Sequence, residues 1–185
     1  MTKQMIIKEL SERHVVLVDY ILSLSCEEFN FSYNENWTAG QQMEHIHRAT
    51  SQLPLLLKIP LPLNGFFFGK AKKPTKNYNE IVAIYLSKLK SGLKATERFI
   101  PSKIPYSYRI NLANKLLKNI TGINEAIDKI SEKNLDSYVL PHPILGKLTY
   151  REMLYFTIYH ADHHCGIARQ YIEKIQRPTE TGLDD

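Results

Sequence analysis

Tyr159-His160-Ala161-Asp162-His163-His164, near the C-terminal end, is the stretch from which the rest of the chain is read. Three of the seven histidines fall within five residues there. His160 and His164 are four apart, so on a helix they lie one turn apart on one face. That face continues as a stripe through Met153, Phe156, Thr157, Ile167, Tyr171 and Ile175, with Arg151, Glu152, Asp162, Arg169 and Glu173 on the opposite side. Imidazoles aimed at a core need partners for their ring nitrogens. One transition-metal ion closed by an i,i+4 pair is one way to supply them.

The same helical spacing recurs upstream. Residues 3–25 place Ile7, Leu10, His14, Leu17, Ile21 and Leu24 on one side. A second helix starts after Trp37, with Thr38 and Gln41 as a capping box. It carries Met43, Ile46, Ala49 and Leu53 inward, and Pro54 kinks or ends it. Residues 78–90 read as a short helix, and 107–130 as a long one with its stripe running from Leu112 to Ile130. Thr149-Tyr150-Arg151-Glu152 is a second capping box, opening a last helix that ends near Gln176, before Pro178.

Between these, residues 58–77 are punctuated by Pro60, Pro62, Gly65, Gly69 and Pro74 and read as an irregular crossover insert. Phe66, Phe67 and Phe68 are expected to pack it over an end of the domain. Residues 99–105 read as a connector and 140–148 as a tight turn. No strand pattern competes, so the expected fold is an all-α bundle of four long amphipathic helices.

The chain has 185 residues, 43% of them hydrophobic, which suits a single globular domain over residues 1–185. No run of roughly 18 apolar residues is present, so no membrane span or membrane partner is expected. The first residues lack a signal-peptide apolar region. Cys26 and Cys165 are far apart, which argues against a disulfide framework and for a cytoplasmic location. The net charge of +5 owes much to Lys58, Lys70, Lys72, Lys73 and Lys76, a cluster read as a solvated loop. No nucleic-acid motif accompanies it, so no nucleic-acid partner is expected.

A metal site needs a third protein ligand. His45, about two turns past Thr38, borders the apolar stripe of its helix, whereas His47 points to the other side. His163 lies about 60° round from His160, so His160 and His163 form an alternative pair. A single core-facing histidine such as His14 reads as packing. His142 shapes a Pro-rich turn, and Cys165 is a small packing residue facing away from the pair.

Three segments carry a resemblance to the DinB superfamily of metal-binding bundles. Residues 37–46, Trp37-Thr38-Ala39-Gly40-Gln41-Gln42-Met43-Glu44-His45-Ile46, resemble that family's Trp-Ser/Thr helix start with a histidine eight residues after the Trp. His142-Pro143-Ile144-Leu145-Gly146-Lys147-Leu148-Thr149 resembles its His-Pro…Gly…Leu-Thr turn. His160-Ala161-Asp162-His163-His164 resembles its His-x-x-His-His segment. The resemblance implies an up-down-down-up four-helix bundle, a homodimer, and one divalent metal held by His45, His160 and His164. Nickel or zinc is the first expectation, with iron or manganese as further candidates. Many members have Gln three residues after the last ligand. Here Ile167 stands there, so the contact that this amide makes in relatives is not expected.

Three neutral imidazoles leave coordination positions for water or substrate. Some relatives are transferases using bacillithiol, mycothiol or glutathione. The resemblance thus implies a metal-dependent thiol transferase or hydrolase acting on a small molecule. The alternative is a non-catalytic, stress-related metal-binding protein. His163 and Gln41 are the candidate acid–base or positioning residues of an enzyme.

Overall fold

The computed structural model describes residues 1–92 and 94–176. It is predominantly helical, as the spacing predicts. Helix α1, Lys3–Ser23, starts where the Thr2 side chain accepts the Met5 N–H, and it buries Ile6, Leu10, His14, Leu17, Val18 and Ile21. It stops two residues before the expected end, because Ser25 caps a new short helix, α2, Cys26–Asn30. Helix α3, Ala39–Thr50, carries both bonds of the predicted Thr38/Gln41 capping box.

Gly40 lies against the ring of Phe29, which is fully buried. A Cβ at Gly40 would stand 2.5 Å from Phe29 Cε1 and Cζ. Gly40→Ala is therefore expected to lose about 2 kcal/mol of stability, the cost of overpacking a core. Chemical denaturation checks this. Phe29→Leu in the Gly40→Ala background should recover part of the loss, and an unchanged midpoint for Gly40→Ala would refute it.

Pro54 does not kink α3. It occupies the first turn of a separate helix, α4, Leu53–Lys58, where its missing N–H costs nothing. Pro62 does the same for α5, Leu61–Phe67, so part of the expected irregular insert is helical. Phe68 packs on the core, but Phe66 is 82% and Phe67 65% exposed. The expected packing of all three phenylalanines is thus wrong for two of them.

Helix α6 is Tyr78–Lys90 and α7 is Arg109–Asp128, both close to expectation. A short helix, α8, Glu132–Ser137, follows. The expected tight turn is a two-stranded antiparallel hairpin, β1 Val139–His142 and β2 Gly146–Thr149. Its register runs from Val139 opposite Thr149 to His142 opposite Gly146, and Gly146 takes φ +76. The last helix, α9, Tyr150–Gln176, opens on the predicted Thr149/Glu152 box. Pro178 lies outside the described residues.

Helix α1 packs on α9 and α7, and α3 packs on α7 and α9. The sequence places a charged face on α9 opposite its apolar stripe. The first three turns of the helix are nonetheless buried almost all round. Arg151 and Glu152 are buried because α8, the hairpin and the chain start cover that side. Arg151 bonds Asp136, Glu132 and the Met1 carbonyl, while Glu152 accepts from the Lys76 N–H and ammonium. These partners meet the requirement that a buried charge be paired. Two apolar clusters divide the core, one including Tyr155, Phe156 and Ile158 of α9, the other Ala161, Cys165 and Ala168. His160 lies at the junction between them.

Candidate metal centre and its cavity

His45 of α3 and His160 and His164 of α9 converge. The Nε2 atom of His160 is 3.2 Å from that of His45 and 3.1 Å from that of His164. All three rings are buried. Among the described residues, these three form the cluster whose ligand atoms lie within 4.8 Å of one another.

The outer nitrogens decide which protons are present. The Phe99 carbonyl, 2.7 Å from His45 Nδ1, can only accept, so that nitrogen carries the proton. The Gln42 side chain donates its Nε2 to the Trp37 carbonyl, which turns its Oε1 toward His164 Nδ1. That nitrogen is protonated too. The Nε2 atoms of neutral His45 and His164 therefore present lone pairs to the shared centre. One proton on His160 Nε2 could satisfy one of them at a time, whereas one cation satisfies all three. Separations of 3.1–3.2 Å are what three imidazoles show around an ion about 2.0–2.1 Å from each nitrogen. The donor set thus fits a divalent transition metal.

Protonation also favours binding. Burial, reinforced by the neighbouring histidines, holds His160 and His164 well below the usual histidine range. Burial lowers His45 as well, although its bond to Phe99 opposes the shift. All three are neutral at pH 7, the form that ligates metal.

The Phe99 carbonyl is held in place from α3. Gln41 donates to the Pro101 carbonyl, and Arg48 donates to the Ile100 carbonyl and the Ser102 hydroxyl. Gln41, a candidate catalytic residue by sequence, thus caps its helix and secures this connector, and it is not part of the cavity wall. Ile167 lines the cavity and brings no amide, while Gln42 brings one to His164 from α3. Sequence reasoning passed over Gln42, although it stands one turn before His45 on the same face. The Phe99 carbonyl left no side-chain signature to find.

The tripod opens onto a cavity of about 960 Å³, a size suited to a small organic molecule. Trp37 covers one side, its ring 5.0 Å from that of His45 and stacked on His164 at 6.3 Å. His163 lines the cavity, stacks on Tyr159 and meets the His164 ring edge-on at 5.2 Å. Burial lowers its basicity, so it is neutral at pH 7. Tyr85 stands edge-on to both His160 and His163, and burial pushes its hydroxyl up to about 12. It remains a protonated donor.

His14 is buried in α1, bonded to the Leu10 carbonyl and outside the tripod. His47 faces Glu44, and Cys165 packs in the core. Cys26 and Cys165 are both unpaired thiols. Among the described residues, no helix is long and apolar enough to cross a membrane.

A family model described as the DinB superfamily matches residues 9–168. That span includes all three tripod histidines, the two predicted capping boxes and the hairpin. No curated protein matches the chain, and no solved structure does.

Proposed function

The chain belongs to the DinB superfamily, and from that premise we propose that it is a metal-dependent enzyme, a thiol transferase or hydrolase acting on a small molecule. The observation that carries this reading is the convergence of three Nε2 atoms, two with their outer nitrogens already engaged, at the wall of a large cavity. A storage or sensing site needs the ligands but not the chamber. In the same reading, α1, α3, α7 and α9 are the family's up-down-down-up bundle.

His45, His160 and His164 would hold the ion, with nickel or zinc as the first candidates. When bound, it would lower the pKa of a water or thiol at neutral pH. The remaining work falls to the chain itself. The apolar wall that includes Trp37, Leu53 and Phe156 excludes water from the reacting group. His163, neutral and beside the tripod, takes a proton from the nucleophile or returns one to the leaving group. Tyr85 can donate a hydrogen bond to the same region. Bacillithiol, glutathione and mycothiol are the thiols to try first.

His163→Gln is expected to lower turnover about 100-fold, because an amide keeps a hydrogen bond but relays no proton. Metal content should remain at the wild-type level. Metal analysis beside a kcat measurement separates the two roles, and loss of metal in this variant would reassign His163 to the ligand set. The experiment for the function is a screen of metal-loaded protein with those three thiols against epoxides, halogenated acceptors and maleylpyruvate, plus ester and amide hydrolysis. Metal-dependent turnover supports an enzyme. Silence from fully loaded protein across the screen supports a metal-binding protein without turnover.

A further inference from the structure

His142 ends strand β1 and was read from sequence as a residue that shapes its turn. It does so: its Nδ1 accepts the Ile144 N–H at 3.2 Å and the Leu145 N–H at 3.1 Å. A ring nitrogen that accepts two N–H groups carries a lone pair. In the neutral imidazole the proton then belongs to Nε2, on the ring edge turned away from the turn. The ring lines the cavity and packs edge-on against Phe156, centroids 4.4 Å apart. Phe156 in turn lies 4.7 Å from the His160 ring. One aromatic ring thus separates His142 from the tripod. The cavity-lining residues of its own turn, Pro141, Pro143 and Ile144, and Phe156 against its ring offer no side-chain donor.

We propose that His142 is a ligand-binding residue whose Nε2–H is a fixed, uncharged hydrogen-bond donor. It would receive an acceptor oxygen of a small organic molecule whose apolar body lies along Phe156 and whose reacting end reaches the tripod. This rests on the cavity being a substrate site. The substrate class follows from the stretch of wall that Phe156 forms between His142 and His160: an apolar skeleton with a carbonyl, carboxylate or ether oxygen, one aromatic ring's breadth from the reacting atom. Burial holds the His142 pKa down to about 4, so the ring is neutral at working pH and offers one defined donor. Two backbone bonds orient that donor before a ligand arrives, which lowers the cost of ordering it on binding.

A turn alone needs only the acceptor, and Asn supplies one in an Asx turn. His142→Asn is therefore the informative variant, because its Oδ1 keeps an acceptor for the turn while its amide NH2, on a shorter side chain, cannot reach the position of the imidazole Nε2–H. Two probes of one shape separate the effects: acetophenone, which has a carbonyl oxygen, and α-methylstyrene, which has a methylene there. Zinc-loaded wild-type protein is expected to bind the ketone about tenfold more tightly, the worth of one net hydrogen bond. In His142→Asn that preference should fall to near unity while α-methylstyrene binds as before. Histidine ¹⁵N shifts of the zinc-loaded wild type should show His142 as the Nε2–H tautomer. An Nδ1–H tautomer, or a ketone preference that survives in His142→Asn, overturns the inference. Binding of neither probe by protein that loads zinc normally also overturns it, while leaving the metal reading intact. A ketone preference lost in His142→Asn, in protein that fails to load zinc, supports His142 and overturns the metal reading instead.

Discussion

His160→Ala is expected to abolish stable metal binding and to remove the stability that the ion contributes. His160 is the shared vertex of the tripod, with its Nε2 the atom that lies 3.2 Å from one ligand and 3.1 Å from the other. Without it, His45 and His164 can offer two lone pairs but no third. Affinity should fall by well over the 100-fold that marks loss of a ligand's hydrogen-bond support. Ligand present at 100 times its Kd stabilises the fold by about 2.7 kcal/mol, so loaded wild type should melt several degrees above the variant. Added metal should raise the wild-type Tm and leave the variant's unchanged. Elemental analysis and paired melting curves measure both effects. If His45→Ala, His160→Ala and His164→Ala each retain full metal, the site lies elsewhere.

The second large effect is a loss of stability in mild acid that originates at His14, away from the tripod. His14 is fully buried in α1, its Nδ1 bonded to the Leu10 carbonyl and its Nε2 without a hydrogen-bond partner in the protein. Burial lowers its pKa from 6.5 to about 4. Between those values the unfolded chain binds a proton that the folded chain refuses. Stability therefore rises with pH through this window. The contribution is intact above about pH 6.5 and is lost as pH falls toward 4, amounting to about 2 kcal/mol between pH 7 and 5. His14→Leu should lose less stability than wild type over that interval, by roughly this amount. The comparison is made with chelator present, so that pH-dependent release of metal does not enter, and the buried tripod histidines contribute alike to both proteins. Parallel stability curves for the two proteins would show that His14 titrates normally in the fold.

The long helices were legible because their apolar stripes and capping boxes are local. Thr38/Gln41 and Thr149/Glu152 form the bonds that their spacing promised. The convergence of His45, His160 and His164, in contrast, was legible by resemblance more than by spacing, since His160/His163 was an open alternative on geometry alone. Prolines misled. Pro54 and Pro62 read as breakers but open helices α4 and α5, a position where proline is tolerated for the same missing N–H. The hairpin was hidden because each strand has four residues and Pro141 and Pro143 crowd its end, too short a run for alternation to register. Arg151 and Glu152 were placed opposite the apolar stripe, and nothing in α9 alone shows that this face is also covered. Their partners arrive from α8, the chain start and Lys76, and no local pattern announces such coverage.

His45 and His160 stand 115 residues apart in the chain, while His160 and His164 are four apart. The unfolded polypeptide therefore offers an ion at most a local bidentate clasp, and gathering the third imidazole means closing a very long loop. That closure entropy is met by the packing of α1, α3, α7 and α9. The Phe99 carbonyl, 54 residues beyond His45, sets the ring's orientation only once the connector has docked. Tight three-coordinate loading would thus be a late event, open only to a chain whose distant segments have already met, and an occupied tripod would mark a completed fold.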